Sequence, residues 1–485
     1  MFFILLMTAG VLYMLYSWVT IRPKNFPPGP PCLPLIGSAL SIPRKLIYLR
    51  MEEWRNKYGP VVGLMVTKFP IIVVCDPSTV IEVLKREELQ GRPFSTQFKE
   101  RSLNKRLGIL FNDGAAWLEQ RRFTLRQLKE FGFGKTSMEG LMVEEIQELI
   151  KEIKGKTLQV SGLFNLSAVN VLCGTMAGTR YKRNNPELCQ LLENITRQFR
   201  GGNPSGATLR NILPFIEWIA PKLVIDQDFA EASRNLQNFM RKIIRQHEET
   251  LDEENPRDFI DVYLTEMHHQ PKDSSSFSEN SLVVICMDLF TAGAESVGNT
   301  LGFALLYMVL YPEVQEKVHE AIDSTIGRSH PPSLQDKARL PYIEAVLTEV
   351  QRCNTIAPLT PPHRATHDTE LHGYFIPKNT TVLVSLWSLL NDKNHWGDPE
   401  NFRPQRFLDN SGKFLKDEYL ILFGVGKRLC PGEALARNTL FLFFTTLLQH
   451  FTIVLPENSP KPTTVPLSGF TVAPQPFKVT FNPRL

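Results

Sequence analysis

Cys430 lies in the stretch FGVGKRLCPGEALARN, Phe423 to Asn438, behind Arg428, between Gly426 and Gly432, and ahead of a run with helical character. A cysteine packed for its bulk needs none of these neighbours. A sulfur held as a thiolate does, because a helix start offers free N–H groups and the positive end of the dipole. Pro431 is expected at the first helical position, where its missing N–H costs nothing. Gly426 permits a tight turn and close approach of a flat ligand. Arg428 offers a cation suited to a carboxylate, and Phe423 supplies an aromatic wall. Zinc fits poorly, since it takes three or four nearby Cys or His ligands. A lone thiolate with an anion-binding arginine and a flat glycine face suits haem iron.

Three more patterns place reactive or charged residues at defined spacing. EVQR sets Glu349 and Arg352 one helical turn apart; an exposed pair of this kind contributes little. WLEQR sets Trp117 and Arg121 on one helical face. AGAES, Ala292 to Ser296, puts two small residues and the Glu295–Ser296 pair midway along a long apolar run.

Together these motifs resemble the cytochromes P-450, in order and over nearly the whole chain. F-x-x-G-x-x-x-C-x-G, filled by Phe423, Gly426, Cys430 and Gly432, looks like that family's haem-binding loop. The resemblance implies haem b with Cys430 as axial thiolate and metal ligand. It implies that Trp117, Arg121, His363 and Arg428 contact the haem propionates, with Arg92 of GRPF doing the same. Glu349 and Arg352 would meet Arg406 of FRPQRF in a structural triad, although Gln405 stands where the family usually has an acid. Glu295 and Ser296 would relay protons, serine replacing the usual threonine, and Ala292 and Gly293 would let oxygen and substrate approach. His268 and His269 lie in a polar loop and read as solvated.

The implied activity is NADPH-dependent monooxygenation, with electrons from NADPH–cytochrome P-450 reductase, because no flavin or nicotinamide site is visible. Arg122, Arg126 and Lys129 are a candidate docking face. The cavity is expected from Gln97 to Leu107, from GGNPSGATLRNILPFIEW, from Ala292 and its neighbours, and from IAPLTPP and LSGFTV. These are largely apolar, so the substrate is a lipophilic small molecule. LEQRRFTLRQLKEFGFG, LLYMVLYPEVQEKV and LHGYFIPKNTTVLVSLWS are similar to arthropod members of the family's second clan. Among these are the enzymes that epoxidise farnesoic acid or methyl farnesoate in juvenile hormone biosynthesis. Hydroxylation of xenobiotics or other lipids, a non-catalytic haem-thiolate sensor, and a rearranging enzyme that needs no reductase are the alternatives.

The elements that must position these residues belong to a chain of 485 residues with formal net charge +4. That mild charge, with no aromatic-basic interleaving, argues against nucleic acid. Seven scattered cysteines without a CxxC pair argue against a disulfide framework and suit a reducing compartment. Residues 1–21 carry no charge and are expected to form one transmembrane helix, an uncleaved anchor. Arg22 and Lys24 follow it, which places the rest on the cytoplasmic side of the endoplasmic reticulum membrane. On that topology the sequons at Asn165, Asn194 and Asn379 stay unmodified. Residues 22–36 hold prolines at 27, 28, 30, 31 and 34 and read as a stiff hinge; residues 37–485 form the catalytic domain. The expected fold is mainly α with a minor β region. PVVGLMVTKFPIIVVC and HGYFIPKNTTVLVSLWS each read as two strands, and FTIVLP and FKVTFNP as closing strands. Ser281 to Tyr311 is apolar but holds Asp288, Glu295 and Asn299, so it reads as a core helix ended by Pro312. Ser276 and Glu279 have capping-box spacing ahead of it.

Overall fold

The computed structural model describes residues 2–484 apart from positions 21, 35, 44, 134, 136, 137, 184, 202–226 and 272–275. Most of the expected cavity segment GGNPSGATLRNILPFIEW therefore lies outside the described residues.

The apolar run with three polar interruptions is a single helix, Glu279–Leu310, through the middle of the molecule. Ile285, Met287, Phe290 and Phe303 on it are fully buried. Among the described residues it alone is long and apolar enough to cross a membrane, but most of it is packed inside protein. Its two buried acids each meet an arginine: Asp288 with Arg101, Glu295 with Arg200. The cap is Ser278, whose side chain accepts from the Ser281 N–H. Ser276, the expected capping residue, instead donates to Glu119 and accepts from Gln120. Tyr311 breaks the helix and Pro312 opens the next, Pro312–Thr325.

Around this axis pack the helices Asn165–Met176, Pro186–Gly201, Gln227–Glu248, Phe259–His269, Pro341–Cys353 and Glu433–His450, and Gly114–Glu130 packs on Phe259–His269. Gly293 and Gly298 allow the close approach of Asn165–Met176. A Cβ at Gly293 would lie 2.5 Å from Leu172, and one at Gly298 only 1.9 Å from the Asn165 side chain.

The β region begins with the expected hairpin, Val61–Val66 and Phe69–Val74, antiparallel with Val61 opposite Val74. The strand Thr381–Val384 joins it in parallel, Ile71 opposite Thr381, and the two-residue strand His363–Arg364 closes the sheet. Tyr374–Ile376 pairs with Thr369–Leu371. Phe451–Val454 and Lys478–Pro483 pair antiparallel, with Thr157–Gln159 on the outer edge. The proline-rich segment is docked on the first sheet. Gly63 N–H donates to the Pro28 carbonyl, and the Arg22 guanidinium reaches the Pro30 and Gly63 carbonyls. Ahead of it, Phe2–Thr20 is an apolar helix whose side chains from Phe2 to Tyr16 point almost entirely outward.

One polar cluster locks this arrangement. The Glu349 carboxylate is shared by Arg352 (2.7 and 2.9 Å), Arg406 Nε (2.9 Å) and the Arg403 N–H. Glu349 and Arg352 are fully buried and Arg406 nearly so. Arg352 also donates to the Leu390 and Pro399 carbonyls, and Arg406 to that of Trp396. Gln405 contributes no charge; Asp398 supplies the second acid to Arg406 at 3.3 Å.

Removing one partner of a buried pair strands the other charge, at a cost of about 3–5 kcal/mol. Arg352→Leu is expected to lose about that much in urea unfolding and to accumulate poorly as folded protein. A second expectation concerns acid. Burial and the neighbouring Arg484 push the His319 imidazole down to about 4, with Nε2 donating to the Phe451 carbonyl. The unfolded chain then binds more protons below pH 6.5, so this contribution to stability is lost as pH falls from 6.5 towards 4. His247 runs the opposite way. Burial disfavours its charge, but Asp258 outweighs that and raises its pKa, so its contribution is lost as pH rises. His319→Gln is therefore expected to flatten the fall of the urea midpoint between pH 6.5 and 5, and His247→Gln to flatten the loss that sets in as pH rises above 6.5.

Candidate active site

Cys430 is positioned by its backbone: its N–H donates to the Phe423 carbonyl at 3.0 Å, closing the loop that precedes the helix Glu433–His450. The helix cap is Gly432, so Pro431 sits one residue before the cap rather than at the first helical position. Gly432 leaves the sulfur uncovered; a Cβ there would lie 3.9 Å from Sγ. Gly426 has φ +76°, and a Cβ would meet the Leu84 carbonyl at 2.7 Å. The loop thus needs glycine at 426 to pass the end of the helix Pro77–Lys85. Burial raises the Cys430 thiol, outweighing the Gly432 N–H and Arg121 that favour the thiolate. The helix start alone does not make this sulfur anionic; a bound cation would, because metals deprotonate the thiols they bind.

Cys430 lines a cavity of about 370 Å³ at the centre of the molecule, within the range of roughly 300–1,000 Å³ typical of small-molecule sites. One end is cationic. Arg92, only 3 % exposed, donates to the Leu110, Pro361 and Pro362 carbonyls. Arg428 donates to the Gln90 and Asn112 carbonyls and lies 3.6 Å from the centre of the Trp117 ring. Arg121 donates to the Leu429 carbonyl. Trp117 keeps its own ring fixed through a 3.0 Å bond from Nε1 to the Ile109 carbonyl. The nearby Asp113 carboxylate is occupied by the Arg92 N–H, Arg106 and Arg364.

These three guanidinium groups thus rest on carbonyl oxygens, and the buried Nη1 of Arg428 has no hydrogen-bond partner among the described residues. Burial and the neighbouring arginines push Arg92 down to about 9 and Arg428 to about 8, Asp113 opposing weakly. His363, 1 % exposed, donates from Nδ1 to the Leu89 carbonyl; burial, then Arg92, hold it neutral well below the usual histidine range. Such an arrangement calls for an anion. A haem fits, with its carboxylates at the arginine end, its flat apolar body in the cavity and its iron at the sulfur.

The rest of the wall is mostly apolar. Phe98 and Phe111 stack with centroids 4.1 Å apart, and Phe470 joins from the C-terminal loop. The expected segments from Gln97, Ala292, IAPLTPP and LSGFTV contribute Phe98, Ala292, Leu359 and Phe470. Ser296 lines the cavity and donates to the Ala292 carbonyl at 2.7 Å. Glu295 does not share that surface. It is 1 % exposed and turned to Arg200 (2.5 Å) and Asn299 (3.1 Å), its Oε2 unpartnered. Adjacent helical residues point about 100° apart, and of this pair Glu295 is the one turned away from the cavity, towards Arg200. The pair Arg101–Asp288 was not anticipated. Asp288 also accepts from the Ile109 and Leu110 N–H groups. Its acid was visible as an interruption of the apolar helix, but nothing marked Arg101 among its basic neighbours. Arg122, Arg126 and Lys129 are exposed, and His268 and His269 lie at the surface beside Glu253.

A family model described as Cytochrome P-450 matches residues 27–481. The chain is 38 % identical over 483 residues to farnesoate epoxidase of Bombyx mori, covering 97 % of each protein. It is 37 % identical to cytochrome P-450 2C23 of Rattus norvegicus, over 99 % of this chain and 98 % of that one. Against the probable cytochrome P-450 303a1 of Drosophila melanogaster it is 35 % identical, over 98 % of both. With a thiol at the edge of a central cavity and a cationic end suited to haem carboxylates, this chain belongs to the cytochrome P-450 family of haem-thiolate oxidoreductases.

Proposed function

We propose that the protein inserts one oxygen atom from O2 into a lipophilic substrate, and that it epoxidises farnesoic acid or its methyl ester in juvenile hormone biosynthesis. The observation that carries the monooxygenase reading is the juxtaposition of Cys430 with the Arg92, Arg121 and Arg428 cluster, whose unpartnered Nη1 awaits an anion. The farnesoid substrate is supported by the largely apolar cavity and the likeness to the Bombyx mori protein.

On this reading Cys430 ligates the iron, while Trp117, Arg121, His363, Arg428 and Arg92 fix the propionate edge. Haem held by a thiolate supplies oxygen activation, the sulfur's electron density favouring O–O cleavage. The chain's part is to hold the substrate in a dry apolar space and deliver protons. Ser296 Oγ is the hydroxyl at the cavity surface. Glu295, its Oε1 held by Arg200, is the proton reservoir on this reading.

Residues 1–21 serve as the anchor, residues 22–36 as the hinge and 37–485 as the catalytic domain. The helix Phe2–Thr20 has 19 residues, which at 1.5 Å per residue approaches the roughly 30 Å hydrocarbon thickness of a bilayer. Its outward-facing apolar side chains suit lipid, and Arg22 and Lys24 behind it support a domain on the cytoplasmic face of the endoplasmic reticulum. Exposed Arg122, Arg126 and Lys129 form the docking face for the NADPH-dependent reductase.

Hydroxylation of another lipid or xenobiotic is the second reading, kept because the chain is nearly as similar to the rat cytochrome P-450 2C23, whose name specifies no farnesoid substrate. Membranes holding the protein, its reductase and NADPH, given farnesoic acid and its methyl ester separately, decide between them. One epoxide enantiomer is expected, resolved by chiral chromatography and mass. No product from either, with a normal thiolate-type carbon monoxide spectrum, overturns the farnesoid assignment and leaves the monooxygenase. NADPH consumption that does not respond to any substrate would point to a sensor. Cys430→Ala is expected to abolish both turnover and the thiolate-type spectrum.

A further inference from the structure

The acid assigned to proton delivery is held from outside its own helix. Arg200, near the end of the helix Pro186–Gly201, donates from Nη2 to Glu295 Oε1 at 2.5 Å. Asn299, one turn further along the core helix, donates to the same oxygen at 3.1 Å. Both donors converge on Oε1, while the buried Oε2 has no hydrogen-bond partner among the described residues. An oxygen accepting two N–H groups has both lone pairs engaged, so a proton on this carboxyl goes to Oε2. A pair built only to tie two helices gains by satisfying both oxygens; here one is anchored and the other left open.

Arg200 is in turn positioned by the C-terminal loop. Its Nη1 donates to the carbonyls of Thr471 at 2.8 Å and Ser468 at 3.3 Å. That loop is itself fastened. Phe470 N–H donates to the Phe199 carbonyl at 3.0 Å, Val472 N–H to the Ile356 carbonyl at 2.9 Å, and the Ser468 hydroxyl accepts from the Leu46 N–H at 3.2 Å. Gly469 leaves room for the guanidinium. A Cβ there would lie 2.8 Å from Arg200 Nη1 and 2.7 Å from the Phe199 carbonyl oxygen. One guanidinium thus joins three segments far apart in sequence. Its planar fork of donors permits this, where a lysine ammonium is a single point of charge.

We propose that Arg200, set by the Ser468 and Thr471 carbonyls in the room left by Gly469, is a positioning residue for proton delivery: it holds Glu295 by Oε1 so that Oε2 carries the proton. This rests on the reading of Glu295 as the proton reservoir. The proton passes from Oε2 to the Ser296 hydroxyl and is replaced from solvent, so the carboxyl ends each turnover as it began. Arg200 is not among the residues that line the cavity; it acts through Glu295.

The test uses the full chain with its haem, its reductase, NADPH and methyl farnesoate. Product formed per NADPH consumed reports proton delivery, and the shift of the haem absorption band gives the methyl farnesoate dissociation constant separately. Arg200→Met is expected to lower product per NADPH about 10-fold, less than the roughly 100-fold that losing a proton-transfer group outright costs. Arg200→Lys should recover part of this. Gly469→Ala keeps both charges but displaces the guanidinium, and it should lower the ratio as well. In a Glu295→Gln background Arg200→Met should lower it no further, and the urea midpoints of the two replacements should be non-additive. Three results each overturn the proposal: a fall in Glu295→Gln that Arg200→Met does not share, losses that add in the double variant, or weaker methyl farnesoate binding with product per NADPH unchanged. An unchanged ratio in Glu295→Gln removes the reservoir reading and the proposal with it. If the parent protein does not oxidise methyl farnesoate, the farnesoid assignment falls and lauric acid replaces it in the same comparison.

Discussion

The Glu349 carboxylate, fully buried and shared between Arg352 and Arg406, is the constraint on which the rest depends. Taking three ions from water is repaid only when geometry is good and every remaining donor finds an acceptor. Here the surplus N–H groups reach the carbonyls of Leu390, Trp396 and Pro399. The helix Pro341–Cys353 runs on into the cavity wall at Ile356 to Thr360 and then to His363. The segment bearing Arg406 runs on to the loop that ends at Cys430. One carboxylate thereby fixes the spacing between the two sides of the site. Asp398 explains why Gln405 is tolerated: Arg406 needs a second acid nearby, not an acid at one sequence position.

Charge is divided sharply within the cavity. Three guanidinium groups at one end have carbonyl partners and an unfilled Nη1, while the Arg101–Asp288 pair cancels itself. Trp117 makes the concentration of positive charge tolerable, since a ring face 3.6 Å from Arg428 is itself an electron-rich partner. Neutral His363 adds no further charge. The site is thus strained electrostatically until an anion arrives, and indifferent to charge elsewhere.

How much of this was legible depended on whether a residue's partner lies near it in sequence. The Cys430 loop, the Glu349–Arg352 spacing and the hairpin Val61–Val74 are local patterns, and they read directly. The core helix was recognisable because charges interrupt its apolar run. Partners distant in the chain were not legible. That Glu295 turns to Arg200, that Arg101 meets Asp288, and that Gly426 must clear the Leu84 carbonyl are contacts across 95, 187 and 342 residues. The short strands Thr157–Gln159, His363–Arg364 and Thr369–Leu371 carry too few residues for a period-two pattern to register. Ser276 and Ser278 both precede the core helix, and sequence spacing favoured the former. The choice between them is made by Glu119 and Gln120, which occupy Ser276.

The parallel pairing of Ile71 with Thr381 sets an order of events during synthesis. The hairpin Val61–Val74 leaves the ribosome some three hundred residues before the strand that completes its sheet, and contacts this distant close slowly. The cavity gathers Leu84, Arg92, His363, Cys430 and Thr471, so it cannot exist while the chain is nascent. A haem held there can be enclosed only after translation, and until then the apolar walls of the future site are exposed surfaces prone to aggregation.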